Sequence, residues 1–193
     1  MIFSSDDPAA VAFAAEILQR GGVVLVPTET VYGLVCNWYD RDAREKIFAL
    51  KNRPANKLLG CFVRGFEQLP DAVIPDYAAK LAAEYLPGAL TLVLPQKDGG
   101  TIGVRIPDHA FLQQLLKKVD FPLAQTSANL SGAPDARSCR EALDMLCGQV
   151  DGAVDGGVIP PGAAASTVVN CTGPAPEVLR QGSIYIEDME KKA

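Results

Sequence analysis

Four polar stretches in this chain follow apolar runs, and polar loops held on a rigid sheet are where binding and catalysis concentrate. In Pro27-Thr28-Glu29-Thr30-Val31-Tyr32-Gly33, two hydroxyls and a carboxylate leave the run Val23 to Val26. That chemistry suits a small polar ligand and equally a hydroxyl-capped turn. Lys51-Asn52-Arg53-Pro54-Ala55-Asn56-Lys57 gathers three cations within seven residues. An arginine fork matches phosphate oxygens and lysine supplies a point charge, although a cationic helix C-terminus reads the same way. In an extended segment Lys51 and Arg53 point to the same side. Thr101, Gly103 and Arg105 share one face of a strand; Arg105, between Val104 and Ile106, is either desolvated and in need of an anionic partner, or on a wet edge. Thr126-Ser127-Ala128-Asn129-Leu130-Ser131-Gly132 offers amides and hydroxyls to phosphate, ribose or carboxylate, or makes a capped turn; it lacks the glycines of a P-loop.

The elements that must carry these loops alternate between helix and strand. Asp6, Asp7 and Pro8 have the chemistry of a helix start, Val11, Ala14, Ala15 and Leu18 give its apolar stripe, and Gly21-Gly22 ends it. Val23 to Val26 reads as a buried strand. A helix is expected from about Asp42 to Leu50, with Ile47, Phe48 and Leu50 inward, ending near Lys51 because Pro54 disfavours helix at Arg53. Further strands are expected over 58–63, 90–94, 102–106, 123–125, 168–169, 178–179 and 184–186. Helices are expected over 75–85 and 110–119, with a third that starts at the Ser138/Glu141 capping box and ends near Gly148. The pair 90–94 and 102–106, joined at Gly99-Gly100, forms a hairpin, so the fold class is α/β with a mixed sheet rather than a purely parallel one.

Bulk properties narrow the function classes. A chain of 193 residues, 48% hydrophobic, is one domain's worth and buries roughly 70% of its unfolded surface without staples. Its 18 basic and 23 acidic side chains give −5, the wrong sign for an outer surface that holds nucleic acid, so any polyanion belongs in a local basic pocket. The five cysteines form no C-x-x-C pair and read as buried small hydrophobes in a reducing compartment. With one histidine, His109, no zinc site is spaced, and no metal ligand set is assigned. No segment has about 18 consecutive apolar residues, so neither membrane span nor leader is expected and the chain is placed in the cytoplasm.

Taken in order, the motifs resemble the YrdC-like threonylcarbamoyl-AMP synthase family. They are Val26-Pro27-Thr28-Glu29-Thr30-Val31-Tyr32-Gly33-Leu34, Lys51-Asn52-Arg53-Pro54, Leu86-Pro87-Gly88-Ala89-Leu90-Thr91-Leu92-Val93-Leu94, Val104-Arg105-Ile106-Pro107, Thr126 to Gly132, Ala165-Ser166-Thr167-Val168-Val169 and Val178-Leu179-Arg180-Gln181-Gly182. Any one is weak; seven in sequence order, from residue 23 to 184, make coincidence implausible.

The resemblance implies a single domain over 1–193, a twisted mixed sheet with surrounding helices and a deep central cavity. It implies that L-threonine, bicarbonate and ATP become threonylcarbamoyl-AMP and pyrophosphate, and that a downstream complex passes the group to tRNA. By resemblance Thr30, Arg105, Ser127 and Ser166 hold threonine. Lys51, Arg53, Lys57, Thr101, Asn129, Arg137 and Arg180 hold the nucleotide, with Lys51 and Arg53 as the catalytic pair. Mg²⁺ comes with ATP, and contact with tRNA or double-stranded RNA is a further expectation. The sequence departs from the family pattern where a histidine is usual and Phe62 stands, and it ends soon after Arg180, without the extra C-terminal domain of longer members. A non-catalytic RNA-binding module on the same basic cavity is the alternative; acidic net charge and the lack of interleaved aromatics weigh against it. A carbamoyl-transfer domain of the hydrogenase-maturation type would bring extra domains and cysteine pairs.

Overall fold

Alternation along Leu90-Thr91-Leu92-Val93-Leu94 decides which side of the sheet is filled and which is left open. The computed structural model describes residues 1–54, 57–147, 149–160 and 162–186. Its elements are β1 (Ile2–Ser4), α1 (Ala10–Gln19), β2 (Val24–Val26), β3 (Gly33–Asn37), α2 (Arg41–Leu50), β4 (Gly60–Phe62), α3 (Asp76–Tyr85), β5 (Leu90–Pro95), β6 (Thr101–Arg105), α4 (Ala110–Lys118), β7 (Leu123–Ser127), α5 (Cys139–Met145), β8 (Gly152–Asp155), β9 (Thr167–Asn170) and β10 (Glu177–Arg180). The strands make one sheet in the order β1-β8-β2-β3-β7-β4-β6-β5-β9-β10. Parallel pairs (β4 with β6, β5 with β9) and antiparallel pairs (β3 with β7, β5 with β6) mix, as the hairpin implied.

Two helical layers cover most of the sheet. On one face α1 and α4 pack Ala14, Leu18, Leu112 and Leu115 against Val24, Val35, Phe62 and Leu123. On the other, α2 and α5 cover Leu25, Leu34, Cys36 and Ala124, and α3 covers Cys61, Leu92, Val104 and Val169. Because side chains alternate along a strand, the residues that flank that last group face the opposite way. They are Gly60 and Phe62 on β4, Thr91 and Val93 on β5, Thr101, Gly103 and Arg105 on β6, and Val168 on β9; all line one pocket.

Several local expectations change. The first helix starts at Ala10: Asp7 closes a turn by accepting from the Ala9 N–H (2.8 Å) instead of capping the helix. The strand expected over 58–63 pairs only at Gly60–Phe62. No ladder forms at 184–186, because Ile184 is held by the Thr167 hydroxyl, which accepts its N–H at 3.1 Å and donates to its carbonyl at 2.7 Å. Lys51 and Arg53 do not share a side: Lys51 caps α2 in helical geometry and Asn52, at φ 47°, turns the chain through the left-handed region. The expected helix end at Gly148 and the loop residues Ala55 and Asn56 lie outside the described residues. The capping box is present with a shift: Ser138 Oγ accepts from Glu141 N (3.1 Å), while Glu141 reaches past it to Arg137 N (2.8 Å).

Candidate functional site

The pocket on the open half of the sheet has a volume of about 340 Å³. Seven of the residues singled out in the sequence line it: Thr30, Arg53, Thr101, Arg105, Ser127, Ser166 and Arg180. They come from six segments of the chain, Thr101 and Arg105 sharing β6, and local bonding aims several of them.

Thr30 is set by Thr28. The Thr28 hydroxyl accepts from the N–H groups of Thr30 (3.0 Å) and Val31 (3.1 Å) and donates to the Val31 carbonyl (2.7 Å), which folds the 28–31 loop on itself. The two hydroxyls then lie 2.9 Å apart. Tyr32 anchors the far end of this loop: its hydroxyl bonds the Gly157 carbonyl (2.7 Å) and Asp155 (3.0 Å) and accepts from Gly156 N (2.9 Å). Burial raises the phenol above its ordinary range, so it stays protonated and donating.

Arg105 is 5% exposed and meets polar atoms on three sides. Nη1 donates to Thr30 Oγ1 (3.1 Å), Nε donates to the Gly88 carbonyl (3.1 Å), and Nη2 lies 2.7 Å from Glu29 Oε1. The guanidinium sits over the Phe62 ring at 5.7 Å. The desolvated arginine expected from its apolar neighbours thus has an anion from its own chain. Phe62 gives it an aromatic face.

Arg180 owes its direction to a bulge. The β9–β10 register runs Glu177 to Asn170, Val178 to Val169, then Arg180 to Val168, skipping Leu179. Directly opposed residues share a face, so the extra residue puts Arg180 instead of Leu179 beside Val168 and the pocket. Its fork then closes on Ser166: Nε and Nη2 donate to the carbonyl (3.0 and 2.9 Å) and Nη2 to the hydroxyl (3.1 Å). The Ser166 hydroxyl is 2.8 Å from that of Thr91. Burial, then the nearby Arg105, push the Arg180 guanidinium down from its ordinary range, against the pull of Asp135; burial does the same to Arg53. Arginine stays charged through such shifts.

Lys51 and Asn129 stand behind the pocket wall. Lys51 is 1% exposed, and its ammonium donates to the Ser127 carbonyl, the Asn129 carbonyl (2.5 Å) and Asn129 Oδ1 (3.1 Å). Those three acceptors use all three of its protons. Asn129 Oδ1 also accepts from Ser127 Oγ (2.6 Å), and Asn129 Nδ2 donates to the Ala133 carbonyl (2.6 Å). The cation organises the 127–133 loop from inside, and burial together with neighbouring Arg53 lowers it to about 8. Arg53 faces the pocket while stapling its own turn, donating to the carbonyls of Lys57 (3.2 Å) and Leu58 (2.7 Å). Lys57 and Arg137 are exposed and do not line the pocket. Sequence reasoning missed Asp135, the one acidic side chain lining it among the described residues, and Gln125 on β7; neither sits in a motif that marks it.

In charge terms, three guanidiniums and a belt of hydroxyls face one carboxylate, a site for an anion with several oxygens. Among the described residues no three His, Cys, Asp or Glu side chains are grouped to hold a metal, and no helix is long and apolar enough to cross a membrane.

Comparison with known proteins places the chain in a family. The chain is 38% identical to the threonylcarbamoyl-AMP synthase of Bacillus subtilis (strain 168), over 97% of its own length and 57% of that protein. Among solved structures, Pyrococcus abyssi Sua5 complexed with L-threonine superposes with a TM-score of 0.90 at 34% identity, covering 99% of this chain and 60% of that one. Escherichia coli YciO superposes at 0.85 and 28% identity, covering 97% of both chains. The chain therefore spans a little over half the length of the first two relatives. The family profile Sua5_yciO_yrdC, described as "Telomere recombination", matches residues 16–182. The chain belongs to the Sua5/YciO/YrdC family.

Proposed function

We propose that this chain is an L-threonylcarbamoyladenylate synthase, a nucleotidyltransferase. The observation that carries the reading is the joining of Arg53, Arg105 and Arg180 with Thr30, Thr101, Ser127 and Ser166 on the part of the sheet that α1 and α4 leave open. The Pyrococcus abyssi relative was solved in complex with L-threonine, which supports the choice of amino acid.

The amine of L-threonine attacks bicarbonate, losing water to give a carbamate. A carbamate oxygen then attacks the α-phosphorus of ATP, and the bond to pyrophosphate breaks. Each step brings anion onto anion, so positioning and charge stabilisation do most of the catalysis, and no covalent nucleophile is needed. Thr30, Arg105, Ser127 and Ser166 take the amino acid. Arg53, Thr101 and Arg180 take the phosphates and ribose. Lys51 and Asn129 act on the nucleotide through the loop that carries Ser127; Lys57 and Arg137 would contribute from the rim. Mg²⁺ would arrive on the ATP phosphates, and Asp135 suits it as the single carboxylate that such ions add to phosphate and water ligands. A downstream complex would carry the threonylcarbamoyl group to tRNA, and a reaction that draws on ATP for tRNA places the chain in the cytoplasm.

The test is incorporation of labelled bicarbonate into an acid-stable product by purified protein with ATP, Mg²⁺ and a panel of amino acids. Label that appears with L-threonine alone, matched by pyrophosphate, is the expected result. Folded protein that incorporates no label with any amino acid would overturn the reading and favour a binding module.

A further inference from the structure

Glu29 belongs to none of the roles above, and its side chain does not line the pocket, yet it is tied to Arg105, which does. Its side chain is 19% exposed, and Oε1 accepts the Asp108 N–H at 2.8 Å. The same oxygen lies 2.7 Å from Arg105 Nη2, but the approach is ionic and not hydrogen-bonded: Nη2 and Glu29 Oε2 are both buried without a hydrogen-bond partner. The guanidinium is meanwhile held in place by three neutral groups, the Thr30 hydroxyl, the Gly88 carbonyl and the Phe62 ring.

These contacts separate orientation from charge. If Glu29 were needed to aim Arg105, the neutral contacts would be superfluous. With those contacts in place, what the carboxylate adds is a negative charge within a few ångströms of a desolvated cation. The geometry points to Glu29 as a built-in counter-charge that weakens the pocket's hold on anions. Arg105 then recognises its ligand mainly through directed N–H groups, while Arg53 and Arg180 carry the free positive charge. In an enzyme that must release an anionic product, such a counter-charge sets the ligand affinity. The inference rests on the proposed use of the pocket for L-threonine and ATP.

Glu29→Gln removes the charge and keeps an oxygen for the Asp108 N–H. Glu29→Met removes the charge without a misplaced amide. Calorimetric titration of each purified variant with L-threonine and with ATP should show tighter binding than wild type. The expected gain is at least roughly tenfold, the scale of one charge removed from about 12 Å away from an anion at an effective dielectric of about 20, and larger at shorter range. L-threoninamide, which lacks the carboxylate, should show no gain, and the unliganded variants should melt lower, with L-threonine restoring more of the loss than it adds to wild type. Unchanged or weaker binding of both anions, or variants that do not fold, would overturn the assignment and make Glu29 a structural residue. A wild-type chain that binds ATP but not L-threonine would instead overturn the amino-acid reading, with the ATP ratio still deciding the role of Glu29. Wild-type protein that binds neither would overturn both.

Discussion

Gly182 tests how the pocket is built, because the clasp it permits is what aims Arg180. A Cβ at this position would lie 2.2 Å from the Ala165 carbonyl oxygen, 2.4 Å from Thr167 N and 2.6 Å from Ser166 C. All three are backbone atoms, so no change of rotamer relieves the overlap. In Gly182→Ala the two segments must separate by roughly 1 Å to reach ordinary contact. The bonds at risk are the Gly182 and Ile184 N–H groups on Thr167 Oγ1 (3.0 and 3.1 Å) and the Arg180 fork on Ser166. At about 1 kcal/mol net for each hydrogen bond, two to four of them cost about 2–4 kcal/mol, similar to the usual cost of overpacking. In a domain of this length that lowers the melting temperature by roughly 2–4 °C for every kcal/mol. Urea unfolding reads the first effect and an ATP titration the second: with Arg180 displaced, affinity should fall about tenfold, the equivalent of about 1.4 kcal/mol. A folded Gly182→Ala protein with wild-type stability and ATP affinity would refute the idea that this close approach positions the site.

Two further outcomes follow from the cations. Arg53→Ala should weaken ATP binding by about 1.5–3 kcal/mol, the worth of a charged hydrogen-bonding group. It should also lower the melting temperature, because the same side chain staples the carbonyls of Lys57 and Leu58; unchanged ATP affinity would remove its assigned role. Lys51 carries a pH signature. Its folded pKa of about 8 lies below the unfolded lysine value of about 10.4, so in that window the unfolded chain binds more protons and stability rises with pH. The wild-type advantage over Lys51→Met in urea melts should therefore be flat below about pH 7 and grow by about 2–3 kcal/mol as the pH approaches 10. A difference that stays constant across the range would contradict the burial of a strained charge there.

Much of the architecture was legible because it is local. The apolar runs 90–94 and 102–106, joined at Gly99-Gly100, marked the hairpin now seen as β5 and β6, and the hydroxyl at Ser138 marked a cap. The stretch β3 escaped because Tyr32-Gly33-Leu34-Val35-Cys36 follows a loop motif with no break between them, and β8 because Gly152-Ala153-Val154 has little β-branched character. Among site residues, Arg105 was legible from its apolar flanks, but its anion was not: Glu29 and Arg105 meet only because the 28–31 loop folds over the end of β6. The separation of Lys51 from Arg53 follows a left-handed turn at Asn52, and the direction of Arg180 a one-residue bulge. A single residue of register reverses a side chain, and no spacing rule supplies that residue.

If the chain is a synthase, amino acid and nucleotide must meet on the part of the sheet that α1 and α4 leave open. Amide chemical-shift mapping of the ¹⁵N-labelled protein, titrated with L-threonine and then with ATP, locates both ligands residue by residue. Shifts from L-threonine centred on Thr30, Arg105 and Ser166, followed by ATP shifts at Arg53, Thr101 and Arg180, are the expected result. Saturable shifts confined to another surface, such as that formed by Trp38, Arg44 and Phe48, would contradict it.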